Sequence, residues 1–187
     1  MIPYRMNPMG VTDPYLKRLP YLSSQIARPI STGIVANTHK LAYELEIEPD
    51  YSKNGSNIIG NWNGTTRDIF VIQNSSSVQV HVGQVGGTAG ISMLYPASGA
   101  FSTIYVEADD QIPRVITKVN GTTITDGTFD GSIITDMQLV FQIFTWKIRR
   151  FKFWQDDALK RDFIPVMNQY GTECMYDLKE RKYYYMG

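Results

Sequence analysis

The chain is poor in the residues that mark metal and redox chemistry. Of 187 residues one is cysteine, Cys174, and two are histidine, His39 and His81. A lone cysteine excludes an internal disulfide, and these three side chains cannot complete a Cys/His zinc site, so stability has to come from packing. Net charge is also missing: eighteen basic residues balance eighteen acidic ones. Without clustered excess Lys and Arg there is no electrostatic footprint for nucleic acid or an anionic membrane, and no nucleic-acid partner is expected. No run approaches the roughly 20 apolar residues of a membrane helix, and "MIPYRMNPMG" lacks the unbroken apolar core of a secretory signal. The expectation is a soluble protein made in a cytosol, with no membrane insertion. "GQVGGTAG" supplies four glycines but no Lys-Ser/Thr and no following helix. It therefore reads as a flexible loop rather than a phosphate cradle, and no cofactor is expected. No stretch carries apolar residues at i, i+3, i+4 and i+7 over three unbroken turns, so helix should be sparse.

What is present is enough apolar material for a core: 43% hydrophobic against 19% charged residues, in a chain of single-domain size. Four of the nine prolines, Pro3, Pro8, Pro14 and Pro20, fall in the first twenty residues and hold the backbone extended. Between them lie Ile2, Tyr4, Met6, Met9, Val11, Tyr15 and Leu16, too apolar for a solvated tail. Residues 1–18 are therefore read as an extended arm that lies on its own domain or on a partner, with Ile2, Tyr4, Met6, Met9 and Tyr15 as its anchoring side chains. At about 3.3 Å per residue some 17 residues reach roughly 55 Å, enough to cross to a neighbouring subunit.

From Leu19 onward the period is two. "HKLAYELEIEPD" puts Leu41, Tyr43, Leu45 and Ile47 on one face and Ala42, Glu44, Glu46 and Glu48 on the other. "RDIFVIQ", "SVQVHVG", "STIYVEAD" and "RVITKVNGTTI" read as further strands, and Asn120-Gly121 predicts a tight type I′ hairpin. "MQLVFQIFTW" and "KIRRFKFWQ" read as the two longest strands, with Phe151 and Phe153 on one face of the second and Arg150, Lys152 and Trp154 on the other. Asp156-Asp157 makes a turn, and "LKRDFIPV" resumes with Phe163 and Ile164 inward and Pro165 at an edge or strand end. Short strands "CMYD" and "KYYYM" close the chain. Many strands with turns every eight to twelve residues predict an all-β, two-sheet antiparallel sandwich over residues 19–187.

The closing pattern, an aromatic strand, an Asp turn, "RDFIPV", a "Gly…Cys-Met-Tyr-Asp" strand and then charged and aromatic residues, resembles the C-terminal signature of concanavalin A-like (laminin G-like) jelly rolls of bacteriophage and prophage virion proteins. The opening, with Thr32-Gly33, Asn37-Thr38 and the acidic strand of Glu44 and Glu46, is similar to that family's start. The resemblance covers roughly residues 19–187 and implies a non-enzymatic virion structural protein, a head or tail appendage made in the bacterial cytoplasm and present in many copies or as a homo-oligomer. It implies other virion proteins as partners, attached through the arm, and a lectin-like domain offered to bacterial surface glycans.

Candidate chemistry is sparse. Glu44, Glu46 and Glu48 resemble the acidic strand of laminarinase-type glycoside hydrolases, whose retaining mechanism needs two carboxyls about 5 to 5.5 Å apart. Residues i and i+4 on a strand lie about 13 Å apart, so Glu44 and Glu48 could act together only if the strand bulged or the side chains leaned. The alternative reading is a solvated acidic face. Asp126 and Asp130 in "ITDGTFDGS" supply two carboxylates where calcium wants six to eight oxygens, and no metal site is assigned. For glycan binding the expected platform is Trp62 in "GNWNGTT", flanked by Asn61 and Asn63, with Tyr95 of "MLYPASG" as a second loop aromatic. Trp146 and Trp154, within strands, read as packing. Lys147 and Arg149 are expected on one strand face and Arg150 and Lys152 on the other. The sequons at Asn54, Asn63, Asn74 and Asn120 read as turn asparagines.

Overall fold

The structure, a computed structural model, describes residues 17–52, 56–61, 65–84 and 92–187. The described residues form strands and no helix. The first eight strands are β1 (Lys17–Arg18), β2 (Arg28–Val35), β3 (Lys40–Glu48), β4 (Ser56–Ile59), β5 (Thr66–Gln73), β6 (Val78–Gln84), β7 (Ser92–Leu94) and β8 (Ser102–Asp109). Then come β9 (Arg114–Val119), β10 (Thr122–Thr128), β11 (Gln138–Ile143), β12 (Lys147–Gln155), β13 (Ala158–Met167), β14 (Glu173–Asp177) and β15 (Lys182–Tyr184). A nine-stranded sheet runs β10-β9-β8-β3-β12-β13-β14-β15, with β1 added beside β13. A six-stranded sheet runs β2-β11-β4-β5-β6-β7. The pairings are antiparallel and the two sheets bury one core between them, the sandwich that the period-two pattern predicts.

Turn chemistry explains the hairpins. Asn120 and Gly121 have φ of 50° and 81°, as a two-residue type I′ loop between β9 and β10 requires. Asp156 and Asp157 do the same between β12 and β13, at 47° and 63°. The closing segment continues the sheet outward as β13, β14 and β15, and the Gly187 N–H donates to the Pro29 carbonyl at 2.9 Å, tying the last residue to the first strand of the other sheet.

Four expectations change. The longest strand is β13, and β11 is only six residues, because Phe144 to Trp146 leave the sheet. Trp146 is accordingly a buried turn residue rather than a strand residue. Pro165 lies inside β13, not at its end. It is tolerated because β12 pairs with β13 only as far as Phe163, and the Pro165 carbonyl instead accepts from Leu19 N–H at 3.0 Å. Ile164 does not join the main core: it alternates away from Phe163 and gathers with Val166, Cys174 and Tyr176 on the opposite face of the sheet. Finally, a bulge between Ile148 and Arg150 breaks the expected alternation, so Lys147, Arg149 and Lys152 all reach the outer-face glutamates of β3.

The core is bound across the sheets by aromatic rings. Phe141 of the six-stranded sheet lies 5.1 Å from Phe151, which stacks on Phe163 at 5.7 Å and 10°, and Phe163 meets Tyr184 edge-on at 5.0 Å. Phe151→Ala should therefore cost about 3–5 kcal/mol of unfolding free energy, read from urea denaturation.

The carboxyl of Asp68 stands inside this core without a basic partner among the described residues, unlike the equally buried Asp177, which lies 3.4 Å from Arg161. Asp68 of β5 is fully buried, its Oδ1 accepts the Asn61 N–H at 2.9 Å, and its Oδ2 has no hydrogen-bond partner among the described residues. Burial holds this carboxyl well above the ordinary range, with the Asn61 hydrogen bond opposing. Tyr43, also fully buried and without a partner for its hydroxyl, is pushed up by burial and then by the charge of Asp68. Because the folded-state pKa is raised, the folded chain keeps a proton that the unfolded chain releases near pH 4. That contribution to stability is full below the unfolded value and is lost as pH rises toward the folded one. Asp68→Asn should thus stabilise the protein at pH 7, on the order of 1–2 kcal/mol, with the gain vanishing near pH 3 in paired denaturation curves.

Candidate functional site

The outer face of the nine-stranded sheet carries the polar half of β3, β8 and β12. Ala42 is opposite Trp154 on one side and Glu107 on the other, and Glu44 is opposite Lys152 and Tyr105. The methyl group of Ala42 leaves the floor low between larger neighbours. Trp154 and Tyr105 rise on either side, their rings 6.4 Å apart and inclined at 66°. Glu44 closes one end, and Lys40, Glu107 and Asp157 the other, giving a pocket of about 280 Å³.

Electrostatics hold this dish in shape. Lys40 Nζ reaches Asp157 at 2.7 Å and Glu107 at 3.6 Å, and the Asp157 hydrogen bond in particular raises its pKa. The Tyr105 hydroxyl donates to Glu107 Oε2 at 2.5 Å, and burial followed by that bond keeps the phenol protonated well above its usual range. Lys152 Nζ pairs with Glu44 at 2.6 Å while lying 5.9 Å from the Trp154 ring centre. A carboxylate offers about four acceptor sites, so Glu44 and Glu107 keep lone pairs for a ligand after these contacts. Aromatic faces beside oriented acceptors and an ammonium donor suit a polyhydroxylated ligand, whose C–H faces stack and whose hydroxyls need partners.

The acidic strand is a ladder of ion pairs. Lys147 meets Glu48 at 2.7 Å, Arg149 meets Glu46 at 3.1 Å and Lys152 meets Glu44 at 2.6 Å, while Arg150 grips Asp162 with two bonds of 2.8 and 2.7 Å. β3 runs beside β8 from Lys40 to Ile47 without a register shift, so no bulge draws Glu44 toward Glu48. Asp126 forms a two-bond pair with Arg114, and no group of three metal-type ligands occurs among the described residues. His39 Nδ1 and Ser132 Oγ both contact Asp110, at 2.6 and 2.9 Å, with the carboxylate between them rather than the imidazole. That order holds a loop in place and gives the serine no base.

Of the expected platform, Trp62 and Asn63 lie outside the described residues, as do the arm positions Ile2, Tyr4, Met6, Met9 and Tyr15. Asn61 is buried, and its Nδ2 donates to the Gln138 carbonyl. Tyr95 is 68% exposed just beyond β7, on the six-stranded sheet, with its hydroxyl 3.6 Å from Met93 Sδ. Sequence reasoning missed Trp154, Tyr105 and Ala42. The signal was there, since Trp154 shares the polar face of β12 with Arg150 and Lys152, but which strands would flank it could not be read locally.

No protein-family model and no curated protein sequence matches the chain. Among solved structures, a protein of Bacteroides ovatus proposed to bind carbohydrate aligns with a TM-score of 0.60 and 13% identity over 92% of this chain. The chain spans 58% of the length of that protein. Galectin LEC-6 of Caenorhabditis elegans aligns at TM-score 0.45 and 10% identity, covering 74% of this chain and 95% of the galectin. Sheep galectin-11 aligns at 0.45 and 10%, covering 71% and 99%. At such identities the first alignment shows a shared β-sandwich fold and nothing about ligands.

Filling the floor tests the site's construction. Ala42→Leu projects outward, so it should leave the thermal midpoint within about 3 °C of the parent while closing the pocket, measured by thermal unfolding.

Proposed function

We propose that this protein binds carbohydrate, without turning it over, in the dish formed by Trp154, Tyr105, Glu44, Glu107 and Lys40 on the outer face of the nine-stranded sheet. The observation that carries the reading is the pairing of a half-buried Trp154 with a low Ala42 floor and carboxylates already oriented by Lys40, Tyr105 and Lys152. Such a platform is pre-formed, so little ordering cost opposes binding. It is also shallow, which suits weak single-site affinity raised by many copies. The shared fold of the Bacteroides ovatus protein is compatible with this role.

For the biological setting, we propose a bacteriophage virion component, made in the host cytoplasm and displayed in multiple copies toward bacterial surface glycans. The support is the sequence resemblance at both ends of the domain, including "RDFIPV" and "CMYD" in β13 and β14. Mass spectrometry of purified particles from infected cultures tests it, and particles that lack the protein would remove this setting.

Binding is tested on an array of bacterial surface polysaccharides, followed by titration of each hit. Trp154→Ala should weaken binding by roughly 30-fold, the equivalent of about 2 kcal/mol for a central aromatic anchor, with the fold retained by circular dichroism. Unchanged affinity in the variant, or no hit at millimolar glycan, would sink the assignment.

A further inference from the structure

The outer face of the nine-stranded sheet carries a second aromatic pair, at the end of the charged ladder away from the dish. Phe101 directly precedes β8 and continues its outward row of Thr103, Tyr105 and Glu107. Tyr21 lies 6.5 Å from Phe101, with the two rings inclined at 39°, and is 39% exposed. Basic side chains seat both rings: the Arg149 guanidinium lies 3.6 Å from the centre of Phe101, and Lys147 Nζ 5.1 Å from that of Tyr21. Arg149 donates to Glu46 at 3.1 Å, and a guanidinium has five N–H donors in a rigid fork, more than this bond uses. The two ends are therefore complementary in kind. The dish offers carboxylate acceptors beside Trp154 and Tyr105, and the far end offers N–H donors beside Tyr21.

The strip between the two ends is neutral pair by pair. Along it Lys152 meets Glu44, Arg149 meets Glu46 and Lys147 meets Glu48, one cation to each carboxylate. Neither a polyanion nor a polycation gains from such a strip, whereas hydroxyl groups can use the spare lone pairs and donors of both partners. Phe101 and Tyr105 are four residues apart on the line of β8, which is about 13 Å. That is longer than one pyranose ring, so a single sugar cannot touch both aromatic ends and an extended chain of sugars can. We propose that the site takes an uncharged oligosaccharide laid along β3, from the dish of Trp154 and Tyr105 to a second platform of Tyr21 and Arg149, rather than a single terminal sugar. This rests on the carbohydrate reading of the dish and adds the length and charge class of the ligand.

The test uses the full chain and uncharged O-chain polysaccharides of bacterial surfaces, cut to disaccharide and hexasaccharide fragments and titrated by calorimetry. In the parent the hexasaccharide should bind at least about tenfold more tightly than the disaccharide of the same polysaccharide. Tyr21→Ala should bring the two affinities to within about threefold of each other, with the fold verified by circular dichroism. Equal affinity for both lengths in the parent, which needs no variant, would overturn the extended site while leaving the dish in place. So would an undiminished preference for the hexasaccharide in Tyr21→Ala, or array binding confined to acidic polysaccharides. Absence of binding to every fragment and every arrayed polysaccharide would instead remove the carbohydrate reading, and the extension with it.

Discussion

The alternation of β12 between β3 and β13 couples the core of this protein to its outer surface. Phe151 and Phe153 point inward to Phe141 and Tyr43, while Lys152 and Trp154 point outward over β3. A slip of one residue would turn the aromatics into solvent and the charges into the core. The pairs Lys147–Glu48, Arg149–Glu46 and Lys152–Glu44 each contribute little stability at a surface, but together they are satisfied in one register only. The bulge at Ile148 to Arg150 is what allows that ladder, since it puts Arg149 on the outer face within reach of Glu46. The dish is thus a by-product of strand register, held as firmly as the aromatic stack behind it.

Much of this was readable from residues alone. The strands follow period-two runs, and the hairpins at Asn120-Gly121 and Asp156-Asp157 follow from residues that tolerate positive φ. The failures have physical causes. Ile164 looked like core because the far face of β13 is apolar too, a feature that depends on what lies over it. Trp146 looked like a strand residue because its turn contains Thr145 and no glycine or proline. The site was harder still. Ala42, Tyr105 and Trp154 are far apart in sequence and meet only through the order β8-β3-β12, so no local motif announces them. The acidic strand, by contrast, was conspicuous, and its carboxylates turn out to be engaged with basic partners on β12.

The chemistry of the two outer regions of this sheet differs sharply. Around Trp154 the face is charged and aromatic, with every carboxylate already positioned, which favours reversible contact with hydroxyl groups. Around Val166 and Cys174 it is apolar and buried. β13 separates the two, with Asp162 paired to Arg150 toward the charged side and Ile164 toward the apolar side.

The most direct test of the account maps a bound glycan by backbone and side-chain chemical shifts in the full-length protein. Shifts concentrated at Ala42, Glu44, Tyr105 and the Trp154 indole are the predicted result. Shifts confined to the Asn61 and Tyr95 side of the six-stranded sheet, with the Trp154 indole unmoved, would contradict it.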